Sequence, residues 1–205
     1  MTNPAELEIA ACAARLVVEE GLEYGPAKRR AVKTLGLPGR SALPSNTLVE
    51  AEVRDYIALF CADTQPGELA ALRAHALVWM QRLHVFRPHL GGAVWRGTAT
   101  RLSDIYLQLF ADDAKAVEIG LIDQKQTYQV SRVSGFKGED VDALSLHSRC
   151  PGLGQHPRGE EIGVHLMVYG YDDLRGALLP DPRGQSPRGD EAALQQRMAV
   201  PVGGA

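Results

Sequence analysis

Gly91 and Gly92 stand ahead of Arg96, Gly97, Thr98 and Ala99, and Ser103 and Asp104 then open an alternating run, Asp-Ile-Tyr-Leu-Gln-Leu-Phe. Small residues at a strand-to-helix turn let backbone N–H groups come close to phosphate oxygens, and a helix N-terminus adds a favourable dipole. An aspartate at the start of the neighbouring strand can hold Mg²⁺ against the same phosphates. A cation such as Arg96 then meets spread phosphate charge. The plain alternative is an ordinary turn at Gly91-Gly92 and a water-exposed acid at Asp104. Tyr106 and Gln108 share the Asp104 face of the strand, either lining a pocket or forming the polar side of a half-buried sheet.

Other chemistry-bearing residues are weaker candidates. His147, Cys150, His156 and His165 invite a zinc reading, but they lack a Cys-x-x-Cys or His-x3-His knuckle. Nothing in the sequence marks Cys150 as an activated nucleophile. Lys28, Arg29, Arg30 and Lys33 cluster on one short helix that could follow a nucleic-acid backbone, yet Glu19, Glu20 and Glu23 lie close by and a solvated face is the ordinary explanation. Trp95 reads as a core residue, with base stacking as its functional alternative. Arg188-Gly189-Asp190 is a chance triplet in a Pro- and Gly-rich stretch.

The elements that must position these residues follow from periodicity. Leu7, Ala10, Ala11, Ala14, Val17 and Val18 recur at helical spacing after Pro4, and Gly21 and Gly25 end that run. A short basic helix follows from Pro26 to Leu35. Residues 37–46 are rich in turn formers. The next helix covers residues 47–61, with Thr47 and Glu50 at capping-box spacing. A fourth starts near Pro66 with the stripe Leu69, Leu72, Ala76, Met80 and Leu83. Strand patterns then occupy residues 104–110, 127–133, 141–147 and 162–169, with a helix over 112–124 between the first two and a short helix around 190–199 at the end.

Residues 90–107, Leu-Gly-Gly-Ala-Val-Trp-Arg-Gly-Thr-Ala-Thr-Arg-Leu-Ser-Asp-Ile-Tyr-Leu, resemble the signature of the polymerase-β-type nucleotidyltransferase superfamily. In that signature an apolar residue and Gly-Gly or Gly-Ser precede a short spacer and an Asp-apolar-acid-apolar strand. The resemblance implies that Gly91, Gly92, Arg96, Thr98 and Ser103 lie at a nucleotide site, and that Asp104 is the first metal acid, binding Mg²⁺. The chain departs from the pattern at Tyr106, where the second acid belongs. A two-metal site holds its ions ~3.5–4 Å apart among several carboxylates, and a neutral tyrosine does not replace one. Asp142, on a later strand pattern, is the candidate for a remaining catalytic acid.

Composition sets the outer bounds. The chain has 205 residues, 45% of them hydrophobic and 23% charged, with a net charge of −3, so no global basic field holds nucleic acid. Three widely spaced cysteines suit a reducing compartment, and the N-terminus does not read as a signal peptide, so a cytoplasmic location without membrane association is expected. The expected fold is α+β: an N-terminal helical region (1–85) packed on a small mixed sheet with a nucleotidyltransferase-like core (86–179), then a Pro/Gly-rich tail (180–205). The resemblance implies binding of a nucleotide and, with a working metal site, transfer of a nucleoside monophosphate from an NTP to an acceptor hydroxyl on RNA or protein. The alternatives are a catalytically inactive module for nucleotide sensing or protein or RNA interaction, and an RNA-associated factor using the basic helix.

Overall fold

The computed structural model describes residues 3–180, 184 and 186–199. Asn3 accepts a hydrogen bond from the Ala5 N–H at 3.1 Å and opens α1 (Pro4–Glu20), which Gly21 closes in the left-handed conformation. The basic helix α2 (Tyr24–Thr34) follows. Helix α3 (Asn46–Phe60) starts one residue before its expected position, because Ser45 supplies the cap by accepting from the Leu48 N–H at 3.1 Å. The Thr47–Glu50 spacing is therefore not the cap. Ile9, Ala13, Ala31, Val49 and Val53 give these three helices a core of their own.

The chain divides into two compact units, Met1–Pro66 and Gly67–Ala205. The division falls before nearly all of α4 (Gln65–Arg82), whose Leu69, Leu72, Ala76, Trp79, Met80 and Leu83 are buried in the core of the sheet. Beyond α4 run β1 (His89–Gly91), α5 (Gly92–Arg96), β2 (Ile105–Phe110), α6 (Ala114–Asp123), β3 (Gln129–Ser134), β4 (Asp140–Cys150), β5 (Glu160–Tyr169), α7 (Leu174–Ala177) and α8 (Glu191–Ala199). The fold is α+β, with a five-stranded mixed sheet in the order β1-β2-β5-β4-β3. Among the described strands only β2 and β5 pair in parallel.

Alternation sorts the two faces of this sheet. Ile105, Leu107, Leu109, Val164, Leu166, Leu144 and Leu146 join the core with α4. Truncating a fully buried leucine in such a core costs ~2–5 kcal/mol. The other face carries Asp104, Tyr106, Gln108, His165 and Met167. Toward its far end Phe110 and Tyr169 are buried against Phe136 and Ala177, so this face is not simply a polar, water-facing side. β1 and α5 span three and five residues, too few to show a period.

The α4 contact with β4 contains one buried polar knot. Trp79 Nε1 donates to Ser148 Oγ at 3.2 Å, and Ser148 Oγ lies 2.8 Å from His75 Nε2. A neutral His75 with the proton on Nδ1 lets Nε2 accept from Ser148, which is the assignment the network favours. Burial, with Arg82 nearby, pushes the His75 pKa below 6.5. A base whose folded pKa is depressed must be protonated on unfolding, so its contribution is intact above 6.5 and is lost as pH falls from 6.5 through the folded value. Both tryptophans lie in this unit. Urea titrations followed by tryptophan fluorescence should therefore show a midpoint that falls between pH 7.5 and pH 5, and a smaller fall in His75→Gln. An equal fall in the variant would remove His75 as the cause.

Candidate functional site

Asp104 lies at the mouth of β2, and the parallel register that pairs Ile105 with Val164 sets it beside Gly163. Its Oδ1 accepts the Gly163 N–H at 2.8 Å, and its Oδ2 lies 3.1 Å from His165 Nε2. The opposite ring nitrogen, His165 Nδ1, is 2.8 Å from Ser145 Oγ on β4. The carboxylate thus orients the imidazole, with Nε2–H donating to Asp104 and Ser145 O–H donating to Nδ1. The His165 bond is the chief cause that holds the Asp104 carboxyl below its ordinary 3.8, with the Gly163 N–H assisting against the cost of burial.

Gly163 is required here for space. A Cβ at that position would sit 2.7 Å from the Asp104 carboxylate. Tyr106, one rung along, pairs with His165, and the two rings stack with centroids 4.7 Å apart. The other side of the Tyr106 ring packs on Gly92, where an added Cβ would meet it at 3.4 Å. Tyr106 is therefore held between the glycine turn and the imidazole.

Asp104, Ser145, His147, Gly163, His165 and Arg101 line a cleft of about 310 Å³, with Arg101 ion-paired to Glu160 at its edge. Gly91, Gly92 and Arg96 do not line it. The Gly91-Gly92 pair does form a strand-to-helix turn, between β1 and α5, with Gly92 at φ 69°. Its close neighbours are Tyr106 and Gln108. Arg96 is half-buried at the far end of α5 and Thr98 is buried just beyond it. Ser103 closes a tight turn instead of facing the cleft, its Oγ accepting from the Thr100 N–H at 3.0 Å.

Asp142 is not brought to Asp104. It pairs with Val168, toward the other end of β5 from Gly163 and on the opposite face of the sheet, roughly 15 Å away along the strand. There it forms an exposed ion pair with Arg132 at 3.4 Å. Among the described residues no group of three or more His, Cys, Asp or Glu side chains is placed to hold a metal ion. The zinc reading fails on position as well. Cys150 is buried against the Ala71 carbonyl with its thiol pushed up to about 11 by burial, while His156 is exposed on a loop. Trp95 is buried and donates to the Ser186 carbonyl at 2.8 Å, so it is a core residue and not a stacking platform. On α2, Lys28 is tied to the Pro44 carbonyl and Asn46, while Arg30 is ion-paired with Glu20 and stays exposed together with Arg29 and Lys33.

Sequence reasoning missed Ser145 and Gly163 and gave His165 to a zinc set. The legible signal was the strand alternation, which puts Gly163 and His165 on one face once β5 is known to lie beside β2. The Ser145-His165-Asp104 chain has the connectivity of an activated hydroxyl. However, Ser145 lies mid-strand, paired with Gln129 on one side and His165 on the other. The chain fixes Asp104 more than it prepares a nucleophile. No protein-family model matches the sequence, and no curated protein matches it either.

Two substitutions probe this clamp. Gly163→Ala forces the Asp104 carboxylate aside and should cost about 1–3 kcal/mol of unfolding free energy, measured by urea denaturation. Asp104→Asn should lower the urea midpoint at pH 7, and the gap to the parent should close only as pH is taken below 3.8, since a depressed carboxyl stabilises above that value and ceases to do so as pH falls through its folded pKa. A gap that is constant with pH would dissociate the carboxylate charge from the clamp.

Proposed function

We propose that the sheet unit is a nucleotidyltransferase-like module that binds a nucleotide without transferring it. The observation that carries this reading is Tyr106, at the position of the second acid, stacked on His165 and packed on Gly92. The one acid of the motif that is present, Asp104, has one oxygen on a backbone N–H and the other on an imidazole. A Mg²⁺ ion in this chemistry needs several carboxylate oxygens, and Asp142 stands on the other face of the sheet. The residues present therefore do not fit a two-metal site.

A nucleotide is the ligand class the glycine turn favours, and the degenerate acid set favours sensing over chemistry. An RNA or protein partner is the alternative ligand. The three cysteines are free, which suits a cytoplasmic setting. Among the described residues no helix is long and apolar enough to cross a membrane.

One observation favours retained chemistry. Asp104 follows the β1–turn–α5 unit in the order the signature requires, and it lines an open cleft. In that second reading Asp104 would hold Mg²⁺, the Gly91 and Gly92 backbone would position phosphates and Arg96 would offset developing charge.

Calorimetric titration of each NTP in Mg²⁺, in Mn²⁺ and in chelator separates the two, combined with product analysis of labelled NTP incubated with RNA and with protein. The binding-module reading expects an affinity that is the same with and without metal, no labelled product, and binding retained in Asp104→Ala. Metal-dependent labelling lost in Asp104→Ala would establish the transferase instead. If no NTP binds to the folded protein, the nucleotide is excluded as the ligand.

A further inference from the structure

The two edges of the five-stranded sheet are finished differently. At the β1 edge a later segment closes the ladder. Gly189 donates to the Leu90 carbonyl at 3.0 Å and accepts the Leu90 N–H at 2.8 Å, and Arg188 beside it is buried. At the other edge β3 pairs with β4, from Gln129 opposite Ser145 to Ser134 opposite Asp140, with no break in register. In an antiparallel ladder alternate residues turn their N–H and C=O groups away from the partner strand. Among the described residues no backbone hydrogen bond joins residues 129–134 to a segment other than β4.

Folded proteins commonly blunt such an edge with a proline, a bulge, a covering segment or an outward charge. Strand β3 has neither proline nor bulge. Gln129, Val130, Ser131, Arg132 and Ser134 are all exposed. Its one charge, Arg132, is paired across to Asp142 of β4 at 3.4 Å. Val130 stands opposite Leu144, on the side of the sheet where α6 joins the core, and is 55% exposed. Just before it, Tyr128 donates its hydroxyl to Glu118 of α6 at 3.0 Å, and Ile122, one turn on from Glu118, is also exposed. The open edge therefore carries an apolar residue in its middle and an aromatic ring with a carboxylate at one end.

We propose that β3 is a self-association edge, and that its occupant is β3 of a second copy of this chain, antiparallel about a two-fold axis at Val130. An axis perpendicular to the sheet keeps every side chain on its own face, so opposed residues differ by an even number of places. An axis at Arg132 sets two guanidinium groups directly opposite, which is destabilising. An axis at Ser131 faces each Val130 with an Arg132. An axis at Val133 carries Val130 to Phe136, inside the β3–β4 turn. The axis at Val130 instead sets the two valines side by side and Gln129 opposite Ser131. It also sets Arg132 opposite Tyr128 of the second copy, so that a cation meets a ring whose hydroxyl is bonded to Glu118, and the two-fold repeats the contact. A net charge of −3 on 205 residues offers little repulsion to the pair. This edge goes beyond the nucleotide reading and does not depend on it.

The test is sedimentation velocity of the full chain from low to high micromolar concentration, where a species of twice the chain mass should appear. Val130→Glu brings two carboxylates together on the axis and should leave only monomer, with the far-ultraviolet circular dichroism of the parent. Val130→Cys tests the register. Its two Cα atoms would lie ~4.5–5.5 Å apart across the pair, within the span of a disulfide, so mild oxidation should yield a covalent dimer. Arg132→Cys places its two copies ~13 Å apart along the strands and should cross-link no more than the parent with its native cysteines. A parent that stays monomeric throughout overturns the proposal, as does a dimer that persists in Val130→Glu. Cross-linking at position 132 in preference to position 130 overturns it as well. If Val130→Glu does not fold, the two cysteine variants decide.

Discussion

Because β2 and β5 run side by side in parallel, Asp104 falls beside Gly163, and Tyr106 falls beside His165. Everything on the polar face of the sheet depends on that register. A shift of one residue would turn Asp104 into the leucine-rich core and put Val164 where its carboxylate needs the space left by Gly163. The register is enforced from the other face, where Ile105, Leu107, Leu109, Val164 and Leu166 are all buried with α4. The site thus inherits its geometry from apolar burial on the far side of the sheet, a large and non-directional term.

The consequence for chemistry is that Asp104 is held and charged. Each of its oxygens accepts one hydrogen bond, from a backbone N–H and from an imidazole, and Ser145 fixes the imidazole in turn. Tyr106 fills the space between the glycine turn and His165 with an aromatic ring. Strands β2, β5 and β4 together present the hydrogen-bonded chain of Asp104, His165 and Ser145 beside a cleft.

Much of this was legible from residue order. The helices α1 to α4, the alternation of β2 and the later strands β3, β4 and β5 follow from spacing, because a stripe or an alternation must be buried for the chain to fold. A turn at Gly91-Gly92 was legible from residue size, but the short strand β1 before it and the helix α5 after it were not. Boundaries were less so: Ser45, not Thr47, caps α3, since which hydroxyl reaches a helix N–H depends on where the preceding loop delivers it.

What tertiary structure alone decided is which strands became neighbours. The local pattern determined that Asp104 opens a strand and that Tyr106 shares its face. It held nothing about β5 crossing two strands in sequence to lie beside β2, and so nothing about His165 and Ser145 meeting Asp104, or Asp142 being carried to the other face. Arg188 was illegible for the same reason: its burial comes from a bridge to β1 by a segment almost a hundred residues later in the chain. Periodicity is a property of neighbours along the chain, whereas a site is made by neighbours across it, and the free energy that selects those comes from closing the whole core at once.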